Sequence, residues 1–312
     1  MGVIGVGALG RHHARHLASS TAASLIGVHD VDLTRGRAVA AEVGVRFFGD
    51  LDELLGAVEA VTIAVPTPVH AAVGLHALDR GRAVLMEKPL AVSIAEADAL
   101  IAAADRRGVP LVVGHIERFN RAVRAAIPFL GDIRYFESTR LAPFQSRGTD
   151  VAVILDLMIH DLDLVLYLTR GDAVADVRAS GVAVLTPHVD VANARVEFAG
   201  GGVANITASR VARDRVRKLR LFQTNGYLSL DLAAGTGVFM RLRPGRHPAP
   251  ATNLEDVVEV VALEAPERDA LGAELESFVR SLRGDPDPVV TGVEGRAALA
   301  LALRVSDAVA RR

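Results

Sequence analysis

Three glycines, Gly5, Gly7 and Gly10, constrain this chain more than any other feature. They follow directly on the apolar run Val3-Ile4, and the residues from Ala8 to about Ala18 read as a helix. A strand that runs into Gly-x-Gly-x-x-Gly and then a helix opens a βαβ unit built to hold a phosphate. Gly5 allows the tight turn, Gly7 lets the backbone approach a pyrophosphate, and Gly10 lets the helix pack closely on the strand. The N–H groups of the first helical turn, those of Ala8 and Leu9 among them, then point at the phosphates with the helix dipole behind them. A second apolar run, Leu25-Ile26-Gly27-Val28, ends at His29-Asp30, twenty residues beyond Gly10. A carboxylate at that distance accepts hydrogen bonds from the adenosine ribose, which favours NAD over NADP. Arg35 and Arg37 nearby leave that preference open.

Strand and helix signals continue to alternate. Ala60–Val65 is a strand closed by Pro66-Thr67-Pro68-Val69-His70, and a helix follows to Leu78. The run Ala83-Val84-Leu85-Met86 is a further strand and stops at Glu87-Lys88-Pro89. Ser93 with Glu96 forms a capping-box pattern before a helix that ends at Gly108, and Leu111–Gly114 is the next strand. Such alternation requires a parallel sheet covered on both faces, and open α/β sheets place ligands at the carboxyl ends of their strands. Glu87 and Lys88 stand at such an end. Only Lys88 and Lys218 are lysines among the 35 basic residues, so a titratable ammonium at this strand end stands out. His12 and His16 are spaced i, i+4, but no third ligand lies near them. All three of His12, His13 and His16 are expected on a helix surface, and no metal is expected.

The length of 312 residues implies about two domains. A formal charge of −2 gives no nucleic-acid footprint and no polybasic membrane anchor. The chain has no cysteine, which rules out disulfides, thiolate nucleophiles and Cys-ligated zinc. No apolar run reaches the ~18 residues of a membrane helix, and no signal-peptide pattern is seen, so a cytoplasmic protein is expected.

After His115-Ile116-Glu117-Arg118-Phe119-Asn120 the period changes. Alternating stretches appear at 133–141, 174–185, 189–198, 203–209, 217–223, 227–232 and 238–242, separated by turns such as Asn225-Gly226. They predict a largely antiparallel sheet. One helical segment, about Val151 to Leu168, interrupts them, and two helices close the chain. The interruption carries Asp156 and His160 at i, i+4, so a carboxylate sits one turn from an imidazole that it can orient. Asp163 follows near the same face. An ordinary amphipathic helix with a surface histidine is the alternative for this segment taken alone.

In combination these residues resemble the glucose–fructose oxidoreductase / inositol dehydrogenase / MocA family. The resemblance rests on Gly5-x-Gly7-x-x-Gly10, Glu87-Lys88-Pro89 and Asp156-x-x-x-His160, and it spans the chain. It implies an α/β protein with an N-terminal Rossmann, doubly wound parallel sheet over residues 1–118. It also implies a C-terminal α/β domain over 119–312, with an open, mainly antiparallel sheet and final helices that pack back on the first domain. Family members transfer a hydride reversibly at a sugar or polyol carbon and form homodimers or homotetramers through the C-terminal sheet. Lys88, Asp156 and His160 match the catalytic positions, and Pro66, Thr67, His70 and Glu87 match loops that border the cofactor.

A narrower likeness, to the UDP-N-acetylglucosamine 3-dehydrogenase branch, rests on residues 115–120, on Pro143-Phe144-Gln145-x-Arg147-Gly148-Thr149-Asp150 and on residues 155–161. In that branch the 3-keto product goes on to a 2,3-diamino sugar used in lipid A. Arg118, Asn120, Arg147 and Asp163 are the weaker candidates for holding substrate. Members usually carry several residues before the first strand, whereas Met1 here lies almost inside it, so a shortened sheet edge is expected. Another substrate, such as UDP-N-acetylglucuronate, inositol or another polyol, and a dinucleotide-binding regulator without turnover remain the alternatives. Which of Lys88 and His160 takes the proton is open as well.

Overall fold

The computed structural model describes residues 1–145, 151–245, 253–285 and 289–311. Two compact units result: Met1–Ile116 with Asp269–Ala300, and Glu117–Arg268 with Leu301–Arg312.

The first unit is built from β1 (Gly2–Ile4), α1 (Ala8–Ser19), β2 (Gly27–His29), α2 (Leu33–Val43), β3 (Arg46–Phe48), α3 (Leu51–Ala57), β4 (Ala60–Ile63), α4 (His70–Asp79), β5 (Ala83–Glu87), α5 (Ile94–Arg107) and β6 (Leu111–Gly114). The six strands are all parallel, in the order β3-β2-β1-β4-β5-β6. That order reverses beside β1, which makes the carboxyl ends of β1 and β4 the switch point where such sheets bind ligands. β4, β5 and β6 are buried at every position, as strands covered on both faces must be. Ser93 caps α5 by accepting the Glu96 N–H, and the Glu96 carboxylate reaches back to the Val92 N–H. The second strand begins at Gly27 rather than Leu25; Ile26 ahead of it donates its N–H to the Met1 carbonyl and stays 41% exposed. No apolar run announces β3, which is three residues long and pairs only with β2.

The second unit contains α6 (Arg121–Ala126), β7 (Ile133–Leu141), α7 (Ile159–Leu168), β8 (Val174–Val182), β9 (Val191–Phe198), β10 (Val203–Ser209), β11 (Val216–Gln223), β12 (Gly226–Asp231), β13 (Thr236–Leu242), α8 (Leu254–Val257) and β14 (Val258–Leu263). Its eight strands run in the order β14-β13-β12-β11-β7-β10-β9-β8, and every pairing is antiparallel except β7 with β10. Period-two patterning puts Phe136, Ala194, Ala204, Ile206, Leu219 and Leu228 on the covered face. The last helices are α9 (Ala270–Ser281) and α10 (Gly292–Ala310). Leu275 and Phe278 of α9 share one core cluster with Val3, Val6, Ala14 and Leu17. No described helix is long and apolar enough to cross a membrane.

Two departures from the periodicity are local. The segment expected to be one helix from Val151 to Leu168 is a π-helical turn at Ile154–Met158, with Ile159 N–H bonded to the Ile154 carbonyl, followed by α7. The strand expected to reach Leu185 stops at Val182 because Asp190 gathers the N–H groups of Val184, Leu185 and Thr186 into a turn, at 2.7 to 2.9 Å. Asp190 also accepts from Nε of Arg210 at 2.8 Å, and Nη2 of Arg210 donates to the Val151 carbonyl at 2.6 Å. This buried pair therefore anchors the chain just ahead of the π turn.

Burial would push the Asp190 carboxyl up, but these N–H donors and the Thr186 hydroxyl hold it well below the usual carboxylate range. A carboxyl lowered on folding adds stability that is fully present above its unfolded value and is lost as pH falls through the folded one. Melting temperature should therefore drop as pH falls below about 4. Asp190→Asn should melt lower at neutral pH and show a flatter acid limb. A variant with the native acid profile would show that Asp190 contributes nothing to it.

Candidate active site

In the first unit the glycine loop joins β1 to α1. Gly5 has φ +79°, and a Cβ there would lie 2.8 Å from the Ala64 carbonyl oxygen. A Cβ on Gly10 would lie 1.8 Å from the Gly5 carbonyl oxygen, so only glycine lets α1 sit this close. Above Gly7 the space is open, since a Cβ there meets nothing within 4 Å. No side chain caps α1, so its first-turn N–H groups, at Ala8 and Leu9, have no side-chain acceptor. Open ground over an uncapped helix start fits a pyrophosphate.

Asp30, just past β2, is only 2% exposed. Its Oδ2 accepts from Val6 N–H at 2.8 Å, which ties the loop to β2. Burial opposes its charge, but Arg35 and the N–H groups of Val6 and Asp32 keep its carboxyl below the ordinary value.

At the end of β5 Glu87 is buried, with Oε1 3.0 Å from Nε2 of His13 and Oε2 accepting the Lys88 N–H at 3.2 Å. Nδ1 of His13 lies 3.0 Å from the hydroxyl of Thr62 on β4. Burial would raise the Glu87 carboxyl, yet the bond to His13 and the charges of His13 and Lys88 hold it below its usual value. Glu87 is thus the buried anchor of the turn that carries half-buried Lys88. The Lys88–Pro89 peptide is cis. His13, expected on the helix surface, is fully buried beneath the sheet end. His12 is exposed, and His16 pairs with Asp269 at 3.2 Å. Gly10, His13, Ala14 and Leu17 form the buried stripe of α1 at i, i+3, i+4, i+7.

Pro66 is exposed and Thr67 half-buried, and Thr67 begins a 3₁₀ turn that ends at Val69. His70 is buried, with Nδ1 2.9 Å from the Pro89 carbonyl and Nε2 2.9 Å from the Val65 carbonyl. It therefore ties the loop after β4 to the turn after β5. Burial lowers its basicity against the pull of those carbonyls.

In the second unit half-buried Asp156 sits in the π turn and half-buried His160 in the first turn of α7. The helix around them is gripped from two sides. Arg140 on β7 holds Asp161 through Nε at 2.6 Å and Nη2 at 3.2 Å, and reaches Glu117 through Nη1 at 2.8 Å. The hydroxyl of Ser138 also donates to Asp161, at 2.8 Å. Burial opposes the Arg140 charge, but Asp161 and Glu117 outweigh it and raise the guanidinium further. Arg118 holds Asp163 as a fork, Nε at 2.8 Å and Nη2 at 2.6 Å, and stacks 4.5 Å over the Tyr167 ring.

Arg118 and Asp163, read from sequence as substrate-holding groups, are 7% and 1% exposed and are committed to each other. Asn120 caps α6 through the Ala122 N–H and donates to Glu117 and to the Leu232 carbonyl. These three side chains thus serve the frame around α7 in this structure. Arg147 lies outside the described residues. A cavity of about 430 Å³ lined by Ile133, Phe136, Leu168, Thr169 and Phe198 lies at the other end of α7 from His160.

Comparison with known proteins bears on these two units in turn. Residues 1–115 match the model of an oxidoreductase family with an NAD-binding Rossmann fold, and residues 121–229 match a GFO/IDH/MocA C-terminal domain. The chain belongs to the GFO/IDH/MocA oxidoreductase family. Among its relatives is the UDP-N-acetylglucosamine 3-dehydrogenase of Acidithiobacillus ferrooxidans, 42% identical over 99% of this chain and 96% of that one. Its solved structure superposes with a TM-score of 0.91 over the same shares. The myo-inositol 2-dehydrogenase of Thermotoga maritima is 26% identical over 96% of this chain and 93% of its own. A gentamicin-biosynthesis protein, GenD2, solved in complex with NAD, shares the fold at a TM-score of 0.82 and 23% identity, covering 99% of this chain and 93% of its own. As a member of this oxidoreductase family, the chain carries in its first unit an NAD-binding domain.

Proposed function

We propose that this GFO/IDH/MocA protein oxidises the C3 hydroxyl of UDP-N-acetylglucosamine to the 3-keto sugar. The observation that carries the substrate is the 42% identity, end to end, with an enzyme named for that reaction. The more distant likeness to inositol dehydrogenases keeps a free polyol as the second reading.

In this proposal the Gly7–Gly10 turn holds the pyrophosphate and Asp30 serves the adenosine ribose, with Pro66 and Thr67 bordering the nucleotide. Bound NAD supplies the hydride acceptor. His160, oriented by Asp156, takes the proton of the reacting hydroxyl. Lys88 acts as a hydrogen-bond donor to negative charge that develops in the reaction. Glu87 and His13 act on Lys88 rather than on substrate: they fix the backbone from which it projects and supply a neighbouring negative charge. Copies of the chain assemble through the open face of the eight-stranded sheet. A partly exposed aromatic row supports this: exposed Phe222 packs 5.5 Å from half-buried Tyr135 and 4.8 Å from half-buried Tyr227, ring centre to ring centre.

A screen of NADH formation with UDP-N-acetylglucosamine, UDP-N-acetylglucuronate, myo-inositol and glucose tests the substrate. Turnover with the first alone is expected, and a preference for inositol would replace the nucleotide sugar by the second reading. Asp30→Ala should weaken NAD binding by ~10-fold or more, since it removes both the ribose acceptor and the Val6 tie. Unchanged affinity in a calorimetric titration would sink the ribose assignment.

A further inference from the structure

Arg210 directly follows β10, and Asp190 directly precedes β9. Their backbones extend the β9–β10 ladder by one bond, from the Arg210 N–H to the Asp190 carbonyl at 3.0 Å. The side chains pair at the same corner of the sheet, with Nε of Arg210 2.8 Å from Oδ1 of Asp190. Arg210 is 4% exposed, so it acts on its neighbours rather than on a ligand. Its Nη2 donates to two carbonyls, that of Val151 at 2.6 Å and that of Val189 at 3.2 Å. The Val189 carbonyl also takes the Val153 N–H at 2.8 Å. Ala152 is therefore bracketed, with the residue on either side of it tied to one fixed corner. The Ala152 carbonyl in turn accepts the Asp156 N–H at 3.2 Å and the Leu155 N–H at 3.0 Å. A single guanidinium nitrogen is thus two backbone links away from the residue that carries the half-buried carboxylate.

The π turn explains why that tie matters. Single π turns are rare, and the chain around Asp156 has the composition of an ordinary helix. At 3.6 residues per turn, one residue of register is about 100° of rotation, so relaxation to α spacing would swing the residues ahead of the turn away from α7. The carboxyl side of the turn is fixed by Arg140 on Asp161 and Arg118 on Asp163. Its amino side is fixed at Val151 and Val153. We propose that Arg210 is a positioning residue for the reaction: it holds the entry to the π turn and, through Ala152, fixes where the Asp156 carboxylate stands. The inference rests on the reading of Asp156 as the group that orients His160.

The test is steady-state kinetics of the intact protein with NAD and UDP-N-acetylglucosamine, each variant assayed below its own melting transition. The variants are Arg210→Lys, Asp156→Asn and the two combined. Lysine keeps a charge beside Asp190, so that carboxylate is not stranded, but one ammonium cannot span Asp190 and the Val151 carbonyl as the fork does. Arg210→Lys is expected to lower kcat ~10-fold, while KM for the nucleotide sugar and the dissociation constant for NAD stay within about twofold of native. Arg210→Gln with Asp190→Asn removes both charges together with the fork, and should show the same loss if the lysine variant fails to fold. On the Asp156→Asn background Arg210→Lys should cost almost nothing more, because the group it positions is gone. A further loss of the same size on that background would mark a merely structural role and overturn the proposal. Native kcat in both Arg210 variants, with kcat lowered in Asp156→Asn, would overturn it as well. Native kcat in Asp156→Asn would sink the reading of Asp156 itself, and this inference with it.

Discussion

Lys88→Ala and His160→Ala are each expected to lower turnover of UDP-N-acetylglucosamine by ~10²-fold or more while the dissociation constant for NAD stays near native. Lys88 projects from a turn whose backbone Glu87 already fixes, so truncating its side chain leaves the buried Thr62–His13–Glu87 chain intact. His160 is half-buried in the first turn of α7, and the ion pairs that hold that helix belong to its neighbours Asp161 and Asp163. Both variants should therefore fold, and rate and binding should separate. Turnover near the native rate in either variant would remove that residue from the chemistry. Asp156→Asn keeps the shape of the π turn but removes the charge, and a smaller loss is expected there.

The largest stability effect is expected at Arg140. Arg140→Met leaves Asp161 and Glu117 as buried carboxylates without their guanidinium, which costs about 3–5 kcal/mol in comparable buried pairs. For a unit of this size that lowers the melting temperature by about 10 °C. Arg217 does not replace it. Burial and the Arg140 charge itself depress its basicity, and it lies 3.5 Å from Glu117. The double variant Arg140→Met/Asp161→Leu removes one of the stranded charges and should melt above the single variant. A single variant that melts with the native protein would mean the network contributes no stability. Because Asp161 adjoins His160, the single variant should also lose turnover at temperatures where it is still folded.

The class of each unit follows from periodicity, because a strand's side chains alternate and a helix's recur every 3.6 residues whatever surrounds them. The glycine loop was legible for a related reason. The positive φ at Gly5 and the contact at Gly10 exclude every other residue, so the chemistry is written in the residue type. The strand-end Glu87-Lys88 and the Asp156–His160 spacing were legible in the same local way. β14 escaped because an edge strand paired on one side carries a weak pattern. The π turn escaped because one helix with i→i+5 bonds has the same composition as one with i→i+4.

What sequence alone determined here is what depends on near neighbours: the two sheet types, the phosphate turn, the strand end bearing Lys88 and the family they mark. The tertiary structure decided who pairs with whom at long range. His13 meets Glu87 from 74 residues away, and Arg118 meets Asp163 from 45, which turned an expected surface histidine into a buried anchor and two expected substrate ligands into a clamp. No spacing rule encodes such partners. A buried charge takes whichever opposite charge the fold brings within reach, because in a medium that cannot solvate it the cost of staying unpaired exceeds any local preference.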